Sequence, residues 1–120
     1  METEEAVLTL AALSQPTRLE AFRVLVRHEP EGLAAGELAR LLEVPQNTLS
    51  AHLSILARAR LVSSERRSRS IVYRANLIDF RNVAVFLLRD CCGGRPEVCE
   101  PVVQSLQSCC PPKRKERSRA

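Results

Sequence analysis

Apolar residues recur at helical spacing in five stretches of the chain, with one interval of strand-like residues between the fourth and the fifth. Ala6–Leu13 is apolar at positions 6, 7, 8, 10, 11, 12 and 13, which predicts a short helix buried on much of its circumference. Ser14 suits an N-cap and Pro16 the first turn of a second helix. There Leu19, Phe22, Val24, Leu25 and Val26 make a wide apolar stripe, which stops at the turn Glu29-Pro30-Glu31-Gly32. A third helix is expected from Gly36 to Glu43, with Leu38, Leu41 and Leu42 on one face. Val44-Pro45-Gln46 breaks the pattern, because the residue before a proline is pushed out of the helical region. The fourth helix runs from Gln46 to Arg60. Leu49, Leu53 and Leu56 follow the i, i+4, i+7 stripe and face a core. Its opposite face carries Asn47, Ala51, Ser54 and Arg58, flanked by Gln46 and Ser50, with no acid among them.

After this helix, Leu61–Glu65 and Ser70–Arg74 bracket Arg66-Arg67-Ser68-Arg69, which predicts a β-hairpin with an almost wholly basic tip. Asn76, with Asp79 three residues on, starts a last helix in the manner of a capping box. That helix runs through Leu77, Phe80, Val83, Ala84, Leu87 and Leu88 to Cys91, and Gly93-Gly94 ends it. Two helices joined by a tight turn and followed by a basic hairpin define the expected fold class: mainly α with a small β-hairpin, a winged helix-turn-helix, dimeric. Residues 1–92 form the DNA-binding and dimerisation domain in this reading. Residues 93–120, short of large hydrophobics and holding four of the seven prolines, form an irregular cysteine-containing tail.

Composition narrows the function. At 120 residues the chain fits one domain. One Tyr, three Phe and no Trp disfavour a ring-lined cofactor pocket or a base-stacking sheet. Apolar runs of a few residues fall far short of the roughly 20 needed to span a bilayer. The acidic start METEEAVLTL is unlike a secretory signal, so the expected compartment is the cytoplasm, where thiols stay reduced. The net charge of +4 hides an uneven pattern: residues 1–44 sum to −4, 45–76 to +5, 77–112 to −1 and 113–120 to +4. The middle basic block coincides with the fourth helix and the hairpin, and such a block attracts polyanions through counterion release.

The expected partner is double-stranded operator DNA. A recognition helix reads the major groove from its N-terminal half, and Gln46, Asn47, Thr48 and Ser50 supply suitable donors and acceptors, with Asn or Gln able to pair bidentately with adenine. Ser54 and Arg58 extend this face. Arg66, Arg67 and Arg69 suit phosphate contact or the minor groove. His52, at the edge of the buried stripe, is a packed or phosphate-contacting histidine. Leu8, Leu10, Phe80, Val83 and Leu87 offer more apolar surface than a three-helix domain with a wing can bury, and the expected outlet is a homodimer that sets two recognition helices roughly one DNA turn, 34 Å, apart.

Five cysteines remain. Cys91 and Cys92 are adjacent at the end of the last helix, Cys99 follows a Gly-Gly-Arg-Pro turn, and Cys109 and Cys110 form a possible second pair. Vicinal cysteines rarely bridge each other, since that disulfide strains the backbone. Three thiolates brought together by a turn suit a soft trivalent ion such as As(III) or Sb(III), which needs no fourth ligand. Zinc prefers four tetrahedral ligands, and neither a Cys-x-x-Cys pair nor a histidine near the cysteines is present. Idle or redox-active thiols are the alternative. An enzyme with a cysteine nucleophile lacks a nearby base or resolving motif, so the chain is expected not to be an enzyme.

Leu13-Ser14-Gln15-Pro16-Thr17-Arg18-Leu19, Gly36-Glu37-Leu38-Ala39, the run Gln46–Leu56 with its Ser50-Ala51-His52-Leu53, and the Arg-rich hairpin up to Tyr73-Arg74 together resemble the ArsR/SmtB metalloregulatory repressors over residues 8–90. The resemblance implies a homodimeric winged-helix repressor that leaves its operator when a toxic metal or metalloid binds. Two of the family's sites do not carry over. Residues 37–44 lack the cysteines of the founding arsenic sensors, and no histidine follows His52 to make the zinc site of the last helix. Cys91, Cys92 and Cys99 match an arsenic-responsive subgroup with a cysteine pair at the end of the last helix and a third cysteine after it. The implied inducer is As(III), with Sb(III), Cd or Pb, or a thiol redox signal on the same fold, as alternatives.

Overall fold

Leu49, Leu53 and Leu56, one stripe of one helix, are wholly buried, and the other elements are laid around them. The computed structural model describes residues 2–91 and 96–109. In chain order these form α1 (Thr3–Leu13), α2 (Pro16–Arg27), β1 (Leu33–Ala34), α3 (Ala35–Leu42), α4 (Gln46–Arg58), β2 (Val62–Arg67), β3 (Ser70–Ala75), α5 (Leu77–Cys91) and α6 (Pro96–Cys109). The chain divides into two compact units, residues 1–84 and 85–120. In the first, Leu25 of α2, Leu38 of α3, the α4 stripe and Leu61 fill the core with Phe22, Leu33, Val62 and Ala75. Each leucine buried there contributes about 1.5–3 kcal/mol relative to exposure.

α1 begins earlier than its apolar run because Glu2 and Glu5 form a capping box, in which the Glu2 amide donates to Glu5 Oε1 at 3.1 Å. Its buried residues are small: Ala6, Thr9 and Ala12. Thr9 satisfies its hydroxyl by donating to the Glu5 carbonyl at 3.0 Å. The larger Val7, Leu8 and Leu10 are exposed, contrary to a helix buried on most sides. Ser14 also departs from expectation. It closes α1, and Gln15 caps α2, its Oε1 accepting from the Arg18 amide at 2.8 Å. Pro16 occupies the first helical position, so the cap falls on the residue immediately before it.

α3 and α4 end by the same device. After α3, Glu43 takes φ 58°, its amide bonds to Arg40 O, and the Val44 amide bonds to Ala39 O at 3.1 Å. After α4, Arg60 takes φ 64°, its amide bonds to Ala57 O, and the Leu61 amide bonds to Leu56 O at 2.9 Å. This is the Schellman arrangement, and it stops α4 at Arg58, ahead of the expected Arg60. A left-handed non-glycine residue costs roughly 1–2 kcal/mol. In the second motif the burial of both Leu56 and Leu61 offsets that cost. Leu41, expected on the buried face of α3, is exposed; Leu38 and Ala39 are the residues that α3 buries.

The hairpin is present, with β2 and β3 paired antiparallel from Val62↔Ala75 to Arg67↔Ser70. A third strand, β1, pairs with the other edge of β3 through Leu33↔Tyr73 and Ala34↔Val72, giving the order β1-β3-β2. Two residues are too few to show alternation, so β1 left no mark in the sequence pattern. Gly32 leads into it at φ 77°, where a Cβ would stand 2.5 Å from the Tyr73 carbonyl oxygen.

Two expectations for the C-terminal part change. Val83 is buried within the chain, 2% exposed, and so belongs to the chain's own packing rather than to a partner-facing patch. Residues 96–109 are helical, not irregular. Pro96 opens α6, where its missing amide costs nothing, and Val98, Val102 and Leu106 recur every four residues along it. Pro101 lies within the helix and withholds one amide donor from it, which is why the proline content pointed away from helix. Gly93-Gly94 and residues 110–120, with the basic tail, lie outside the described residues.

Leu53→Ala is expected to lower the unfolding free energy by about 2–5 kcal/mol, read by urea denaturation. Gly32→Ala meets both the positive φ and the Tyr73 carbonyl, and should lower the midpoint of the same transition.

Candidate nucleic-acid interface

With its leucine stripe in the core, α4 presents its other face to solvent. Gln46, Asn47, Thr48, Ser50, Ser54 and Arg58 are all exposed. Pro45 precedes the helix in an extended conformation, and no side chain caps the helix from that position. Asn47 Oδ1 accepts from the Thr48 amide at 2.9 Å, so one first-turn amide is met locally. Gln46 leans toward α3: a Cβ at Gly36 would lie 3.5 Å from its Oε1. Arg58, at the far end of α4, helps line a cavity of about 330 Å³ with Glu5, Leu8, Thr9, Arg60, Asp79 and Asn82. It stands at the junction of α1, α4 and α5, rather than beside the residues of the first turns.

His52 is half-buried on the rim between the two faces. Its Nδ1 lies 3.3 Å from Arg18 Nη1, and Arg18 Nε donates to the Ala12 carbonyl at 2.6 Å. One guanidinium thus ties the end of α1 and the start of α2 to the middle of α4. In the sequence Arg18 stands out only as part of the Pro-Thr-Arg motif, and nothing in its spacing shows that it reaches His52.

The wing sorts its arginines. Arg66 and Arg67 belong to β2, and only Ser68-Arg69 form the turn, with Ser68 at φ 56°. Arg67 Nη2 pairs with Glu65 Oε1 at 3.1 Å, and its Nη1 reaches the Glu31 carbonyl at 3.5 Å. Arg74 is held by Glu29 through two hydrogen bonds, at 2.8 and 3.3 Å. The Glu29 hydrogen bonds, and then its charge, raise the Arg74 pKa further above its ordinary value. Arg66 and Arg69 are exposed, with no acidic partner among the described residues. Half of the expected capping box forms at α5: the Asp79 amide donates to Asn76 Oδ1 at 3.4 Å, but the Asn76 amide donates to the Leu61 carbonyl, and Asp79 Oδ2 accepts from Asn76 Nδ2 at 3.1 Å instead.

Of the apolar residues expected between subunits, Leu8 and Leu10 are exposed on α1 and Leu87 on α5. Phe80 is 38% exposed, with its ring stacked at a tilt on Phe22, centroids 5.2 Å apart. Of the expected metal ligands, Cys92 and Cys110 lie outside the described residues. Cys91 ends α5, and Cys99 and Cys109 belong to α6, their side chains likewise outside what is described. Among the described residues, no group of three His, Cys, Asp or Glu side chains could hold a metal ion, and no helix is long and apolar enough to cross a membrane.

A helix-turn-helix domain family matches residues 13–65, from the end of α1 into β2. An ArsR-like transcriptional regulator from Rhodococcus sp. RHA1 is similar at 27% identity, over 89% of this chain and 93% of that one, with a TM-score of 0.65. NolR from Sinorhizobium fredii is 31% identical over 71% of this chain and 85% of its own, with a TM-score of 0.56. The chain belongs to the ArsR family of helix-turn-helix transcriptional regulators. The ArsR-family fold is also that of Mb0332 from Mycobacterium bovis, a homodimeric winged helix-turn-helix DNA-binding domain, at 20% identity over 88% of this chain and 84% of that fragment, with a TM-score of 0.61. No curated protein matches the sequence.

Glu29→Gln removes the charge that holds Arg74 and should loosen the base of the ArsR-type wing. Amide exchange at Val72 and Tyr73 is expected to quicken relative to Leu53 and Leu56, as measured by hydrogen exchange.

Proposed function

We propose that the chain is a repressor that occupies operator DNA as a homodimer and releases it when As(III) binds Cys91, Cys92 and Cys99. The observation that carries the DNA half is the acid-free outer face of α4, turned outward by its buried leucines, with Arg66 and Arg69 free of acidic partners among the described residues of the wing that follows. Asn47, Thr48 and Ser50 lie in the first turns, where a recognition helix meets base edges. Arg66 and Arg69 supply charge for phosphates, whereas Arg67 spends part of its charge on Glu65. Bound across a promoter, a protein of this size represses by excluding other proteins from the same stretch of DNA.

The dimer rests on Leu8 and Leu10 of α1 and Phe80 of α5, large apolar side chains exposed in the first unit of the single chain; Leu87, exposed in the second unit, is a further candidate. The inducer rests on the chemistry of the donor set: three thiols, with no histidine in the chain beyond His52. As(III), when bound, accepts three thiolate ligands and needs no fourth. Cys91 ends α5 and Cys99 lies near the start of α6, so ligation draws on the ends of two helices. Sb(III) has the same valence and sulfur preference. A 100-fold release of operator requires the ligand to favour the DNA-free state by about 2.7 kcal/mol.

Operator binding by the full chain tests both halves. Arg66→Ala/Arg69→Ala should weaken binding and make the slope of log K against log salt shallower by about 0.9 for each phosphate left without its arginine, while Arg67→Ala changes it less. Cys91→Ser/Cys92→Ser should bind operator as the parent does and fail to release it with arsenite. Release indistinguishable from the parent would remove the cysteine assignment.

A further inference from the structure

Arg18 and His52 have a chemistry that the fold alone does not require. A guanidinium has hydrogen-bond donors only. Its approach to His52 Nδ1 at 3.3 Å therefore makes that nitrogen an acceptor, carrying no proton. The ring proton then sits on Nε2, which has no partner among the described residues. The other histidine shows the reverse. His28 Nδ1 lies 2.9 Å from the Val24 carbonyl, an acceptor only, so there Nδ1 carries the proton. The neighbours thus impose opposite roles on the two Nδ1 atoms, acceptor in His52 and donor in His28.

Position gives the His52 tautomer a use. His52 lies one turn beyond Thr48, on the boundary between the buried stripe and the exposed face of α4. Arg18 is itself fixed, its Nε on the Ala12 carbonyl at 2.6 Å and its amide on Gln15 Oε1 at 2.8 Å, so its grip on the imidazole is anchored at both ends. We propose that Arg18 is a positioning residue for DNA contact: by donating to Nδ1 it holds His52 as the neutral Nε2–H form and directs that N–H to a backbone phosphate oxygen. The inference rests on α4 being the DNA-facing helix. Such a contact is neutral, so it orients the helix without adding a released counterion.

The test uses the full chain and an operator duplex selected from a random pool by the unmodified protein. Nitrogen–proton correlation spectra of the imidazoles should show His52 protonated at Nε2 and His28 at Nδ1. In Arg18→Met, His52 should move toward a mixture of tautomers. His52→Phe should weaken operator binding roughly ten- to a hundredfold, the range for a hydrogen bond to a charged group, with the salt slope unchanged. Arg18→Met should weaken binding in the parent and cost nothing further in the His52→Phe background. His52→Gln, whose amide donates without a tautomer, should bind well and be insensitive to Arg18→Met. A proton on Nδ1 of His52 in the unmodified protein overturns the proposal without any variant. So does undiminished binding by His52→Phe, or a salt slope lowered by Arg18→Met, which would make Arg18 a phosphate ligand itself. If Asn47→Ala and Thr48→Ala also bind like the parent, the assignment of α4 has failed; if they lose binding while His52→Phe does not, only this inference has.

Discussion

Everything on the exposed polar side of α4 follows from the burial of one leucine stripe. A helix has a single rotation about its axis that places Leu49, Leu53 and Leu56 together in the core, and that rotation decides which residues are left outside. Asn47, Ser50 and Ser54 are exposed because they share the circumference with the leucines. A turn of α4 by one residue, about 100°, would drag leucine into water and polar groups into the core, at a cost of several kcal/mol. The Schellman motifs after α3 and α4 fix the remaining freedom, the point at which each helix stops. Arg18, at the rim of the same helix, adds a polar constraint beside the apolar one.

The wing shows a division of labour among like charges. Near its base, Arg74 is neutralised by Glu29, which joins β3 to the turn before β1, and the Asn76 amide closes on the Leu61 carbonyl at 2.8 Å. Gly32 lets β1 come close enough to pair with β3 where any side chain would strike the Tyr73 carbonyl. Farther out, Arg66 and Arg69 have no such offset among the described residues. Exposed ion pairs contribute little to stability, so the pairing of Arg67 with Glu65 matters more for where charge is cancelled than for holding the hairpin. The charge that a polyanion meets is therefore smaller than the count of arginines, and it is concentrated at Arg66 and Arg69.

Much of this was legible in the sequence, for reasons that can be named. The α4 stripe was legible because three leucines at i, i+4 and i+7 leave one way to be buried. The hairpin was legible because β-branched residues flank a charged turn, and the start of α5 because the Asn76 side chain caps the Asp79 amide. Features set by tertiary contact were not. β1 exists only because β3 offers it an edge, and Leu41 is exposed because Leu38 and Ala39 already fill the space beneath α3. α6 was obscured by Pro101, whose local propensity argues against helix while Val98, Val102 and Leu106 argue for it. At the site, the polar residues of α4 were recognisable by type. The Arg18–His52 contact spans 34 positions, and no local pattern carries it.

The least expected feature is the inversion in α1. A helix that only completed a monomer core would put its largest apolar side chains inward, since burial scales with the area removed from water. Here Ala6, Thr9 and Ala12 face inward, and Val7, Leu8 and Leu10 face out. Small inward residues let α1 lie close against its neighbours, which costs little. Large outward ones gain nothing unless something else covers them. On α5 the exposed Leu77, Ile78 and Phe80 repeat the pattern on a second element of the same unit. A second copy of the chain presents the same side chains in the same order, so one symmetric contact would cover both sets at once. Under the proposed dimer, the energy that α1 leaves unclaimed in the single chain would be an association energy.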